Sequence, residues 1–201
     1  MSIEQGTEAM LMRRAKILDA GAKPVGWKVG FNVPEIQQKL GIDAPLAGFL
    51  TTDSLIEDSW NDYPVVVESE VAVEIGDDGR SIVALLPALE LADPPDLDLE
   101  IEQILAGNIF HRAVAFGPRV ETTDPGAGRI LVNGEEQHAV KPEGLERMVQ
   151  AVAARLEAAG EELRAGERII TGVLAPPYEA KEGDTVRLEL EALGGVELRF
   201  S

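Results

Sequence analysis

The segment Val67-Glu68-Ser69-Glu70-Val71-Ala72-Val73 constrains this chain most. It lies inside a run from Val65 to Ile75 that is rich in β-branched residues, which predicts a strand. Side chains alternate faces along a strand, so Glu68 and Glu70 point the same way, with Cα atoms about 7 Å apart. Two like charges on one face repel, and a cation between them removes the cost. Oxygen donors alone suit a hard divalent ion, Mg²⁺ or Mn²⁺. An ordinary solvated strand face would show the same alternation. Glu74 shares that face, about 20 Å from Glu68, too far to hold the same ion.

Glu90 stands out for a different reason. It sits in Leu85-Leu86-Pro87-Ala88-Leu89-Glu90-Leu91, an otherwise apolar stretch. A charge there points to water at an edge, or it is paired or bound to a cation. Lys28 lies in Gly26-Trp27-Lys28-Val29-Gly30, where the glycines permit close backbone approach, as a ligand pocket needs. Such a lysine holds a carboxylate or transfers a proton. His111 and His138 have no metal-ligand spacing and no triad partner nearby, and both are expected at the surface.

The remaining pattern predicts many short strands and few helices. Residues 4–20 read as a helix ended by Gly21, and 35–40 as a short helix opened by Pro34 and closed by Gly41. A loop is expected around Pro45 and Gly48. Strands are predicted at 25–31, 65–75, 81–86, 113–116, 129–132, 168–173, 185–190 and 196–200, with 87–91 continuing the third or starting another. A short helix is expected at 99–105, and Asn133-Gly134 is a hairpin signal. Leu145, Met148, Val149, Val152 and Leu156 recur at helical spacing and predict a helix over 143–159. Without regular βαβ alternation, the expected class is α+β with a mainly antiparallel or mixed sheet. No linker divides the chain, so residues 1–201 are expected to form one catalytic-type domain with an N-terminal helix in residues 1–22.

Composition excludes several functions. The net charge of −18 repels nucleic acid and anionic membranes, and no basic cluster offsets it. No apolar run reaches about 18 residues, so no membrane span is predicted. There is no cysteine, hence no disulfide and no thiolate chemistry. The N-terminus lacks the basic and apolar stretches of a signal peptide, which makes the cytoplasm the expected location.

The order of these segments resembles the 2-keto-4-pentenoate hydratase family of the fumarylacetoacetate hydrolase superfamily. The matching pieces are Gly26 to Phe31, Gln37-Gln38-Lys39-Leu40-Gly41, Glu68-Ser69-Glu70-Val71-Ala72, Pro87-Ala88-Leu89-Glu90, and Leu163 to Gly172. The resemblance implies a rolled, mostly β catalytic domain with helices outside. It implies that Glu68, Glu70 and Glu90 hold the divalent metal, and that Lys28 contacts substrate and moves a proton. Thr171, in the last matching segment, is a second expected substrate contact. The implied reaction adds water to a 2-hydroxy-2,4-dienoate or 2-oxo-enoate in the breakdown of aromatic compounds. A vinylogous 2-oxo-acid decarboxylase would share the metal site. Homo-oligomeric assembly is implied, and a partner decarboxylase is conceivable.

Three departures accompany the resemblance. The family's Pro-Asp-x-Gly is Pro45-Leu46-Ala47-Gly48 here, so the proposed acid–base aspartate is Leu46. Asp53 is the expected stand-in, by proximity in sequence. Ala106-Gly107-Asn108-Ile109-Phe110 replaces Ala-Asp-Asn-Ala-Ser, and Val140-Lys141-Pro142 replaces Gly-His-Pro. These changes motivate a second reading, a non-catalytic relative that keeps the fold as a binding or structural subunit. The superfamily's hydrolases use a His-x-x-Glu pattern that neither histidine matches, so acylpyruvate hydrolysis is not expected.

Overall fold

The computed structural model describes residues 2–201. The elements in chain order are α1 (Ile3–Asp19), β1 (Pro24–Gly30), α2 (Pro34–Leu40), β2 (Leu46–Thr51), β3 (Ser59–Trp60), β4 (Val66–Ile75) and β5 (Ile82–Ala92). They continue with α3 (Ile101–Ala106), β6 (His111–Phe116), β7 (Gly128–Val132), β8 (Glu135–Val140), α4 (Leu145–Ala158), β9 (Arg168–Ile170), β10 (Tyr178–Glu179), β11 (Thr185–Leu190) and β12 (Gly194–Phe200). The class is α+β, as the sequence predicts. One sheet runs β2-β1-β9-β4-β5-β6, with β10 also paired to β4, and the other runs β3-β12-β11-β7-β8. Among the named strands, β1 pairs with β9 and β12 with β3 in parallel and the other pairs are antiparallel, so both sheets are mixed.

Local chemistry explains the helix ends. Ser2 and Gln5 form a reciprocal capping box at the start of α1. Pro34 opens α2, and Gly41 closes it in the left-handed conformation. The five apolar residues that predict α4 are all buried.

The outcome differs from the sequence expectation at β2 and β8. Residues 46–51 form β2 rather than a loop, and all six are buried. Gly48 there is not a turn residue but a clearance for a neighbour, described below. Of the two readings of residues 87–91, continuation holds, and β5 runs through Pro87 to Ala92. β8 follows the Asn133-Gly134 hairpin, but five of its six residues are exposed, so it carries no apolar signal.

The two faces of the larger sheet have separate apolar clusters. One face joins the second sheet and α4 in the main core, which includes Val71, Val73, Leu85, Leu89, Met148, Val152 and Leu188. Leu50, Ala72, Leu86, Ala88, Val114 and Ile170 pack as a second, smaller cluster. Period-two alternation on β4 and β5 puts Glu68, Glu70 and Glu90 on that second face. Glu74 lies on it too, at the far end of β4, where Arg119 Nε donates to its Oε1 at 2.9 Å. No helix among the described residues is long and apolar enough to cross a membrane.

Candidate active site

The antiparallel register of β4 and β5 pairs Glu68 with Glu90 and Glu70 with Ala88. Directly paired residues share a face, so three carboxylates from two strands converge. Each offers one oxygen, and these oxygens lie within 4.8 Å of one another. Glu70 and Glu90 are completely buried, and Glu68 is half-buried.

Their hydrogen bonds leave an unsatisfied remainder. The Gly172 N–H donates to Glu70 Oε2 at 2.6 Å, while Glu70 Oε1 meets no donor. Glu90 Oε1 accepts from Lys28 and lies 2.7 Å from His111 Nδ1, while Glu90 Oε2 meets no donor. A buried carboxylate oxygen without a partner is costly. Two of them beside a third carboxylate fit a hard divalent cation, whose ligands are oxygens.

The electrostatics agree with that fit. Burial, then the charge of Glu90, pushes Glu68 up to about 7 despite Lys28 nearby. Burial, then Glu90 and Glu68, holds Glu70 well above the ordinary carboxylate range, against the pull of Lys28 and Gly172. Glu90 goes the other way. Burial opposes its ionisation, but Lys28 and His111 draw it down to about 2. Burial disfavours the Lys28 ammonium, yet Glu90, Glu68 and Glu70 together raise its pKa. The lysine therefore stays charged beside an ionised Glu90.

Lys28 reaches the site because its neighbours give way. It pairs with Gly48 across β1 and β2. A Cβ at Gly48 would come within 2.8 Å of Lys28 Cγ and of Asn108 Oδ1. A second lysine hydrogen bond goes to Ile109 O at 3.2 Å. That carbonyl is aimed by Asn108, Ile109 and Phe110, at φ values of 62°, 53° and 62°. Left-handed backbone is rare for a β-branched residue and stores strain. Asn108 restrains the turn, accepting from Phe49 N–H at 2.8 Å and donating to Phe49 O at 3.0 Å.

Next to the three carboxylates lies a cavity of about 450 Å³. Lys28 and Glu68 line one part of it, and apolar residues such as Ile36, Leu97, Phe110 and Pro176 line much of the rest. This size suits a small ligand.

Of the residues singled out in the sequence, Lys28, Glu68, Glu70 and Glu90 come together, and two others do not. Asp53 is exposed on a 3₁₀ turn, accepts from the Thr51 hydroxyl, and does not line the cavity. Thr171 is buried, and its hydroxyl donates to Val71 O at 2.8 Å. It ties the segment carrying Gly172 to β4 instead of facing the cavity. Leu46 is buried with Ile42, Ile104, Leu105 and Ile109, so the acid–base position of the resembled family lies in an apolar cluster here. His111 corrects the surface expectation. Its side chain is 4% exposed, and its Nε2 lies 3.0 Å from Ser54 Oγ. An ionised Glu90 can only accept, so Nδ1 carries the proton in that contact.

No protein-family model matches the chain. Relatives named 2-keto-4-pentenoate hydratase align at 23% to 27% identity. That of Paraburkholderia xenovorans (strain LB400) is 23% identical over 237 residues, covering 100% of this chain and 84% of the relative. Over its whole length the chain is similar to 2-keto-4-pentenoate hydratases. The chain is also similar in fold to 4-oxalocrotonate decarboxylase of Pseudomonas putida G7, solved with magnesium and adipate. The TM-score is 0.89 at 20% identity, covering 100% of this chain and 87% of that one. It is also similar to fumarylpyruvate hydrolase of Pseudomonas aeruginosa, solved with Mn²⁺ and pyruvate, at a TM-score of 0.64 and 16% identity, covering 89% of each chain. The α+β fold is shared with both of these structures.

Proposed function

We propose that this chain is a member of the 2-keto-4-pentenoate hydratase family and a divalent-metal-dependent lyase that adds water to a 2-hydroxy-2,4-dienoate, giving a 4-hydroxy-2-oxo acid. The whole chain, residues 1–201, acts as one catalytic-type domain in this reading. One observation carries it: Glu68, Glu70 and Glu90 offer oxygens within 4.8 Å of one another, two of the three carboxylates carry an oxygen without a donor, and Lys28 stands beside them at a cavity. Glu68, Glu70 and Glu90 would hold Mg²⁺ or Mn²⁺. When bound, such an ion would supply Lewis-acid stabilisation of negative charge developing on the substrate.

The chain's own residues do the rest. An ammonium has three N–H donors. Lys28 gives one to Glu90 and one to Ile109, which leaves the third for the substrate's 2-oxygen. As the dienol becomes the 2-oxo-3-enoate, the 2-hydroxyl loses its proton and C5 gains one. Water then adds its oxygen at C4 and a proton at C3. Lys28 and Glu90, already sharing a hydrogen bond, are the pair placed to relay protons at the 2-oxygen. The apolar walls exclude bulk water and strengthen these charge interactions.

The test is turnover of 2-hydroxypenta-2,4-dienoate by purified protein with and without Mg²⁺, with calorimetry for the metal. Metal binding, metal-dependent formation of the 4-hydroxy-2-oxo acid, and loss of both in Glu70→Gln are expected. Absence of divalent binding at millimolar metal defeats the reading. Metal binding without turnover would leave the inert-relative view standing in its place.

A further inference from the structure

We infer that the cavity selects its 2-oxo acid by the tail, accepting an uncharged alkyl or aryl group and rejecting a second carboxylate. The inference rests on the proposed function, in which the acid's C1 end lies at the three glutamates. Among the residues lining the cavity, Lys28 is the one cation, and it already bonds Glu90 and Ile109. Away from it the walls are Val33, Ile36, Leu97, Phe110, Pro176 and Pro177.

The other polar groups do not change this. Asn32 Nδ2 donates to Val173 O at 3.3 Å. Asp93 also lines the cavity, and its own negative charge repels a second carboxylate. Arg112 lies 3.5 Å from Asp93, but it also holds Asp62 and donates to Pro64 O at 2.9 Å. Lys141 and Arg147 line a neighbouring cavity of about 160 Å³, which shares Asn32, Val173 and Leu174 with this one, and neither cation lines the larger cavity itself. A carboxylate on the tail would therefore lose its hydration without gaining a partner. An apolar tail gains from the same walls, about fourfold in affinity for each methylene buried.

The test is calorimetry on the native protein at saturating Mg²⁺. The ligands are oxalate, 2-oxobutyrate, 2-oxohexanoate, 2-oxooctanoate, 2-oxoadipate and 6-methyl-2-oxoheptanoate, the last a neutral isostere of 2-oxoadipate. Oxalate is expected to bind, and affinity to rise along the monoacid series. The isostere should bind about tenfold or more tighter than 2-oxoadipate, a difference of about 1.4 kcal/mol. Leu97→Lys, which puts a cation in the half-buried wall, should narrow that gap. If 2-oxoadipate binds as tightly as its isostere while oxalate binds well, tail selection alone is overturned. If oxalate fails to bind with Mg²⁺ present, the proposed function falls and this inference with it.

Discussion

Lys28 and Glu90 form a buried ion pair in which the ammonium meets one carboxylate oxygen and leaves the other without a donor. The pair is asymmetric in purpose. One oxygen of Glu90 holds Lys28 and His111, and the other meets no donor in a carboxylate that sits beside Glu68 and Glu70. The same lysine that keeps Glu90 ionised also lowers the cost of the other two carboxylates.

Removing one partner of a buried pair leaves an uncompensated charge, which costs about 3–5 kcal/mol. Lys28→Met should lower the stability of the metal-free protein by an amount of that order. Lys28→Met with Glu90→Gln should be closer to native, because the stranded charge is gone. Urea denaturation of the single and double variants measures both. A double variant no more stable than Lys28→Met would contradict the pairing.

Glu68 and Glu70 make stability depend on pH in a defined direction. Their folded-state pKa values lie above the ordinary 4.5, Glu68 at about 7 and Glu70 well raised. The folded, metal-free protein therefore binds these protons more tightly than the unfolded chain does. Their contribution is complete below about 4.5 and is lost as pH rises through about 7. Glu90, drawn down to about 2, contributes above 4.5 and loses that contribution only as pH falls toward 2. The metal-free Tm should thus fall between about pH 5 and pH 8 through these groups, and Glu68→Gln with Glu70→Gln should flatten the slope. Mg²⁺ replaces the protons, so it should raise Tm more at pH 8 than at pH 5. A larger gain at the acidic end would sink this account.

Much of this arrangement was legible because it obeys short-range rules. Glu68 and Glu70 are two residues apart on one strand, and Glu90 interrupts an apolar run, so both signals survive without a partner in view. The order of the segments carried the fold. What stayed hidden depends on register. His111 looks isolated in sequence, yet an irregularity in the β5–β6 register pairs it with Ala92, and from there its ring reaches Glu90. β2 was hidden because Gly48 resembles a turn residue until the Lys28 stem beside it is known. Asp53 illustrates the reverse error: nearness in sequence to Leu46 does not bring its side chain to the cavity, whereas Ser54 beside it reaches His111.

Gly48 should be intolerant of even one methyl group. Its backbone is not in the left-handed region, so the constraint is space and not φ. A Cβ there would meet Lys28 Cγ and Asn108 Oδ1, each at 2.8 Å. The lysine stem can shift, but Asn108 is fixed by two hydrogen bonds to Phe49. Gly48→Ala should cost about 1–3 kcal/mol, the range for overpacking, and weaken binding of oxalate in the presence of Mg²⁺ by displacing Lys28. Native stability together with native oxalate affinity would show that the clearance is unimportant.

Leu46 tests whether the family's aspartate can simply be restored. It is 1% exposed and packs with Ile42, Ile104, Leu105 and Ile109. In the β1–β2 register it lies opposite Gly30, whose missing Cβ leaves room for the Ile109 side chain. This cluster supports the strained turn that aims Ile109 O at Lys28. A carboxyl at position 46 would have to be desolvated among apolar side chains, at a cost of about 3 kcal/mol or more. Leu46→Asp should therefore lower Tm by several degrees, while the gain in Tm on adding Mg²⁺ persists, because none of the three carboxylates belongs to the cluster. Differential scanning calorimetry of native and variant protein, each with and without Mg²⁺, separates the two effects. A variant as stable as native would mean that the site still tolerates the acid, and that Leu46 is a substitution without structural consequence.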